Sequence, residues 1–156
     1  MLRLPYQPGA LDPRKPVPPS LPSAVRVRWR PLIHIRIIGS NRRYWDFDQA
    51  LLDTGADDTV FPLHIANMLG VSILPDRGHS HTWRGTSYRL HFGRVHLELT
   101  DDISVWRWPA IVAFTEAAVR YPLLGHCGFM EYIETRFLDA DRVVELEPNT
   151  WYPGST

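Results

Sequence analysis

Turn-forming residues cut this chain into short pieces, and that punctuation limits its fold more than any other feature. Gly39-Ser40-Asn41, Asp53-Thr54-Gly55, Trp83-Arg84-Gly85-Thr86, Asp101-Asp102 and Asp139-Ala140-Asp141 each separate two runs rich in β-branched, leucine and aromatic residues. Residues 32–38, 44–52, 88–99, 105–114, 134–138 and 143–146 read as strands. Val95, Leu97 and Leu99 alternate with polar neighbours, and Val25, Val27 and Trp29 alternate with Arg26, Arg28 and Arg30, as in half-buried strands. Pro109 suits an edge or a bulge. Helical spacing is brief. Pro62 fits the first turn of a helix over residues 63–69 that Gly70 ends, and residues 127–133 read as a second short helix. Residues 73–90 form a hairpin with its tip near Trp83 to Thr86. The expected fold is all-β, a closed barrel or sandwich with one or two short helices, and not a βαβ sheet.

The length of 156 residues fits one domain, and a 44% hydrophobic content with six Trp, six Tyr and six Phe can build its core. Seven of the 14 prolines fall in residues 1–23. That composition predicts an extended or disordered arm over residues 1–24 that lies outside the core. The folded domain is expected over residues 25–150, with a tail at 151–156. Seventeen basic residues balance 17 acidic ones, which argues against nucleic acid and against an anionic membrane as partners. Lys15 is the sole lysine among the basic residues. One cysteine, Cys127, excludes an intrachain disulfide and fits a reducing compartment. Prolines at positions 5 and 8 interrupt any signal-peptide core, and no apolar run reaches membrane-spanning length. The expectation is a soluble, cytoplasmic protein.

The densest chemistry lies at Leu51-Leu52-Asp53-Thr54-Gly55-Ala56-Asp57-Asp58-Thr59-Val60. An apolar strand ends in a carboxylate, a tight turn follows, and glycine permits close approach of another backbone. Asp53 is thereby held by a rigid element at the rim of a core, where a carboxyl group can do acid–base work. Preceded by Ala50, this stretch resembles the active-site strand of the retropepsin-like aspartic proteases. Leu123-Leu124-Gly125 resembles the apolar-apolar-glycine element of the same family, and the order of elements over residues 25–148 is similar. The ending, from Gly128-Phe129-Met130 to Leu146-Glu147-Pro148, looks more like bacterial members than viral ones.

The resemblance implies a closed acid-protease barrel with a flap hairpin, and a homodimer with its active site on the two-fold axis. It implies Asp53, Thr54 and Gly55 as the catalytic set, Asp53 flanking a water, Thr54 bonding across the axis, and the Gly55 carbonyl facing a peptide substrate. Ala56, Asp57 and Asp58 would line the cleft. For Asp57 and Asp58 the local alternative is to cap the turn that follows. Trp83, Arg84 and Gly85 would form the flap tip over the substrate, bulkier than in glycine-rich relatives. Alanine at position 56 offers no hydroxyl to the neighbouring carboxylate, so activity is expected to reach toward near-neutral pH. His126 stands where viral relatives carry arginine, and no role is carried over to it.

One Asp-Thr-Gly per chain fits the dimer on physical grounds as well. Peptide hydrolysis by carboxylates needs one group to accept a proton and another to donate one, and a symmetry axis supplies the second copy. No metal and no cofactor are required. A rival reading from another class keeps the dimer but makes it a non-catalytic peptide-binding or assembly module. The seven histidines suggest a remoter metal reading, because His79 and His81 share one strand face without a Cys–Cys pair or an HExxH motif. Cys127 is expected to be buried and inert.

Overall fold

Residues 1–22 and 24–155 are described by a computed structural model. In chain order the strands are β1 (Leu2–Pro5), β2 (Gln7–Ala10), β3 (Val27–Arg30), β4 (Leu32–Ile38), β5 (Tyr44–Leu52) and β6 (Val60–Pro62), then helix α1 (Leu63–Met68). The hairpin β7 (Ser80–Trp83) and β8 (Thr86–Arg89) follows, then β9 (His91–Thr100), β10 (Val105–Thr115), β11 (Leu123–Leu124), β12 (Ile133–Leu138) and β13 (Val143–Pro148). Six of them close a barrel in the order β10-β6-β11-β5-β4-β9. The all-β architecture with a closed barrel and a projecting hairpin is the one the turn punctuation predicts.

Period-two patterning builds the barrel wall. In β4, Ile33, Ile35 and Ile37 are buried, and in β9, Val95, Leu97 and Leu99 are. In β10, Trp106, Trp108, Ala110 and Val112 face in, while Pro109 lies on the stretch of β10 not paired to β6, where its missing N–H costs nothing. A register shift in the β4–β5 ladder inserts one extra residue into β5 between Phe47 and Ala50. The inward set thereby passes from Phe47 to Ala50 and Leu52, which delivers Asp53 to the barrel mouth. On the outer face, Asp46, Arg36, Glu98 and Arg107 stand directly opposite one another across β5, β4, β9 and β10. Arg36 forks onto Asp46 at 2.7 and 3.0 Å and reaches Glu98 at 3.3 Å, and Arg107 closes on Glu98 from the other side. Opposite charges thus alternate across four strands.

Three expectations need correction. The N-terminal arm does not lie outside the core. β1 pairs with β13, and β13 with β12, in a three-stranded sheet, and Leu2 and Tyr6 belong to the main core cluster. Tyr6 also donates its hydroxyl to Asp139 at 2.6 Å. Proline enrichment misled because Pro5 ends β1 and Pro8 sits in the short β2–β3 ribbon, positions that tolerate it. Ser23, in the proline-rich arm, and Thr156, the last residue of the tail, lie outside the described residues.

Residues 127–133 are not a helix: 128–132 are turns, Cys127 bridges to Asp58, and Ile133 opens β12. Gly128 adopts φ +85°, and its N–H is taken by the Glu131 carboxylate at 2.8 Å. Met130 and Glu131 donate five residues back, to Gly125 and His126. The apolar Phe129 that suggested a helix face packs edge-on against Trp108, whose indole N–H donates to the Gly128 carbonyl at 2.9 Å. Finally, Trp29 faces solvent and stacks under Arg142 instead of entering the core. No helix among the described residues is long and apolar enough to cross a membrane.

Leu2 is 1% exposed and contacts the core from a strand that composition alone marks as dispensable. Leu2→Ala is expected to cost about 3 kcal/mol of unfolding free energy. Urea denaturation of the two proteins checks this, and an unchanged midpoint would return residues 1–10 to the status of a leader.

Candidate active site

Two loops leave the same end of the barrel and hold each other. β11 lies parallel to the end of β5, Leu123 beside Leu51 and Leu124 beside Leu52, and antiparallel to β6 at Val60. The Leu51 N–H donates to the Pro122 carbonyl at 2.8 Å, and the Asp53 N–H to the Leu124 carbonyl at 3.1 Å. Beyond that point the loops stay in step. His126 N–H donates to Ala56, Cys127 N–H to Asp57, and Thr59 N–H back to Cys127, at 3.0, 2.8 and 3.1 Å. Gly125 is required here: a Cβ would lie 2.4 Å from the Asp58 carbonyl oxygen and 2.6 Å from that of Ala56. Its N–H donates to Oγ1 of the fully buried Thr59 at 3.3 Å.

Within this clasp Asp53 is half-buried. One carboxylate oxygen accepts the Gly55 N–H at 2.9 Å, and the Ala56 N–H closes the turn onto the Asp53 carbonyl at 3.2 Å. The other oxygen has no hydrogen-bond partner among the described residues. Thr54 and Gly55 are exposed on the rim. The Thr54 carbonyl accepts a hydrogen bond from the His126 ring at 3.0 Å. His126 therefore has a local role that sequence reasoning missed. Its adjacency to Gly125 was the available signal, since a residue there must lie over the opposing loop.

Asp57 is exposed and Asp58 half-buried, and neither carboxylate accepts a hydrogen bond among the described residues. The capping alternative for these two therefore has no support in the geometry, and both side chains remain free to meet something else. Burial, then the Asp57 charge beside it, push the Asp58 carboxyl above the usual range, against an opposing pull from His79. Cys127 is exposed, contrary to the expected burial. Its thiol is nonetheless pushed up, by desolvation first and then by the carboxylates of Asp58, Glu131 and Asp57, and so stays protonated and a poor nucleophile.

The β7–β8 hairpin carries the remaining predicted residues. Arg84 and Gly85 take φ +50° and +80°, the two left-handed positions of a two-residue hairpin loop. Arg84 bears about 1 kcal/mol of backbone strain there. Its guanidinium lies 6.0 Å from the Trp83 ring centroid, and the buried Trp83 indole N–H has no hydrogen-bond partner. The hairpin is fastened to the barrel by His81, whose Nε2 lies 2.8 Å from Oγ1 of buried Thr115. Thr115 Oγ1 also accepts the Ala117 N–H at 3.1 Å, and burial lowers the His81 pKa, which favours the neutral ring. A small apolar cluster of Val60, Leu90 and Ala113, flanked by Phe92 and Leu123, lies at this end of the barrel. No hydrogen bond or ion pair among the described residues joins Trp83, Arg84 or Gly85 to the Asp53 loop. No group of three or more His, Cys, Asp or Glu side chains that could hold a metal ion forms among the described residues.

No protein-family model matches the sequence, and no curated protein does. Among solved structures the chain is similar to the EIAV protease complexed with the inhibitor HBY-793. The two are 19% identical with a TM-score of 0.43, over 62% of this chain and 82% of that one. What the site can do is therefore derived from its own geometry.

Two outcomes follow from the clasp. Gly125→Ala drives a methyl group into two carbonyl oxygens, so a loss of about 3 kcal/mol is expected in urea denaturation. For Asp58, the raised folded-state pKa means that its charged form is disfavoured in the native state and its neutral form is not. That penalty is present above the folded pKa and disappears as pH falls below the unfolded value. Asp58→Asn is therefore expected to be more stable than wild type at neutral pH, with the advantage shrinking through and just above the ordinary carboxylate range. Denaturation midpoints at several pH values check this, and an advantage that does not change with pH would contradict it.

Proposed function

We propose that this chain is half of an aspartic endopeptidase, a member of the retropepsin-like proteases of bacterial type, that works as a homodimer on peptide or protein substrates in the cytoplasm. The observation that carries the reading is a single carboxylate at a barrel mouth, Asp53, fixed through one oxygen to the Gly55 N–H and left open at the other. A carboxylate so placed has no proton-transfer partner among the described residues of its own chain. Thr54 and Gly55, exposed on the rim, offer the surface on which a second copy brings one.

In the dimer the two Asp53 side chains share one proton, because like charges so close do not both ionise. The ionised member takes a proton from a water between them as that water attacks the scissile carbonyl carbon. The protonated member donates to the carbonyl oxygen. Collapse of the tetrahedral intermediate passes a proton to the leaving amine and restores the shared-proton pair, with no covalent intermediate on the enzyme. Within each copy, His126 steadies the Thr54 carbonyl, and Gly125 keeps the two loops at the separation that aims Asp53 outward. The Gly55 carbonyl, Ala56, Asp57 and Asp58 face the substrate backbone. The hairpin tip Trp83-Arg84-Gly85 covers it, and the apolar cluster around Val60 receives its side chains. The catalytic unit includes β1, since Leu2 is part of the core.

Wild type and Asp53→Asn incubated with a denatured protein mixture from acid to neutral pH test the reading. Cleavage is expected to fall by about 10³-fold or more in the variant. Specific activity of wild type is expected to drop on dilution in step with dimer dissociation followed by sedimentation. A wild type that sediments as a dimer and cleaves nothing across that range would replace the enzyme with a peptide-binding or assembly module.

A further inference from the structure

The segment that enters the β7–β8 hairpin is tied to β9 and its approach at two points. Leu74 N–H donates to the Phe92 carbonyl at 2.8 Å, and Leu90 N–H to the His79 carbonyl at 2.9 Å. Between the ties, residues 75–78 form an exposed bow outside any strand. Asp76 turns the bow by accepting the Gly78 N–H at 2.8 Å, and Gly78 takes φ +79°. A hollow of about 320 Å³ lies beneath.

The hollow has an apolar floor and a basic rim. Leu74, Leu90, Phe92 and Ile111 form the floor, and the His79 ring stands edge-on to Phe92 at 5.6 Å between centroids. Arg77 and Arg94 form the rim, and neither makes an ion pair among the described residues. The one acid there, Asp76, is already committed to Arg89 at 2.8 Å and to the Gly78 N–H. Two uncommitted guanidinium groups beside greasy walls present a demand for an anion with an apolar body. Arg77 and Arg94 take no part in the Asp53 site, whereas Leu90 and Phe92 also belong to the apolar cluster around Val60.

We propose that this hollow is a binding site for a small apolar carboxylic acid, its ring or short aliphatic chain on the floor and its carboxylate between Arg77 and Arg94. Size supports the choice. A cavity of about 150 Å³ accepts a benzene ring, so roughly twice that volume accepts a ring with a short acidic chain. Guanidinium groups match a carboxylate in planar, two-point fashion. Backbone ties on both sides of residues 75–78 fasten the segment to the approach and start of β9, which disfavours an extended peptide running beneath it. Because β7 starts and β8 ends at the hollow, an occupant braces the root of the hairpin. Control of peptide cleavage by that bracing rests on the protease reading, whereas the binding itself does not.

Titration of the isotopically labelled full chain with 4-phenylbutyrate and with its uncharged amide, followed by backbone amide shifts at neutral pH, tests the site. The acid is expected to move the amides of Leu74, His79, Leu90 and Phe92 in a saturable way, with affinity about tenfold or more above that of the amide. Arg77→Gln with Arg94→Gln is expected to erase that difference, and Arg94→Gln alone to reduce it. Asp53→Asn is expected to bind as wild type does, so an inactive protein that still binds the acid separates this site from the protease reading. Equal shifts by acid and amide, saturable shifts confined to other residues, or a full acid preference retained by both arginine variants would overturn the proposal.

Discussion

Two residues on each of two strands, Leu51-Leu52 beside Leu123-Leu124, hold the Asp53 end of the barrel together. The pairing is short, yet everything beyond it inherits its register. Asp53 is reached because its N–H continues the ladder onto Leu124, and the opposing loop is locked because Gly125 has no side chain where two carbonyls converge. The barrel makes the pairing possible. The extra residue in β5 flips the strand's inward phase just before the mouth, so that Leu52 anchors the core while Asp53 emerges at the rim. Asp53 thus owes its position to a bulge upstream and a glycine across from it, more than to its own neighbours.

The charge inventory is arranged with similar economy. Glu98 is almost wholly buried, a position that strongly penalises an unpaired carboxylate, and it is held from two sides by Arg36 and Arg107. The planar fork of arginine suits such a site, and a chain with one lysine supplies it repeatedly. At the Asp53 end the opposite holds. Asp53 has one free oxygen, and the carboxylates of Asp57 and Asp58 accept no hydrogen bond among the described residues. Charge is satisfied where the barrel needs stiffness and left available where a ligand would arrive.

Most of the barrel was legible because period-two alternation and turn chemistry are local signals. The span of β4 and β5 and the tip of the hairpin at Arg84-Gly85 follow from residues within a few positions of each other. What escaped was set by distance along the chain. Leu2 is core only because Leu146 lies opposite it, and no local composition announces that. Residues 127–133 carry a helix-like apolar set, but Phe129 answers to Trp108 and Gly128 to Glu131, so the local period was overruled by packing. His126 was legible as an odd residue and illegible as a partner, since its hydrogen bond reaches Thr54 across the clasp. The site residues around Asp53 were readable as a motif, whereas their geometry depended on Gly125 and Thr59.

The β1–β13 pairing also sets a timetable for synthesis. Leu2 and its partner Leu146 lie 144 positions apart, so β1 is made well before β13. Until then the N-terminal strand has no mate, and its apolar side chains wait exposed. The barrel strands and the Asp53 clasp are complete by residue 127, so that end of the barrel can organise while the β1-β13-β12 sheet is still unfinished. Pairings of such long sequence separation form late and slowly. Closure of this sheet therefore comes late in folding, and the waiting β1 segment is the one most in need of protection from wrong partners.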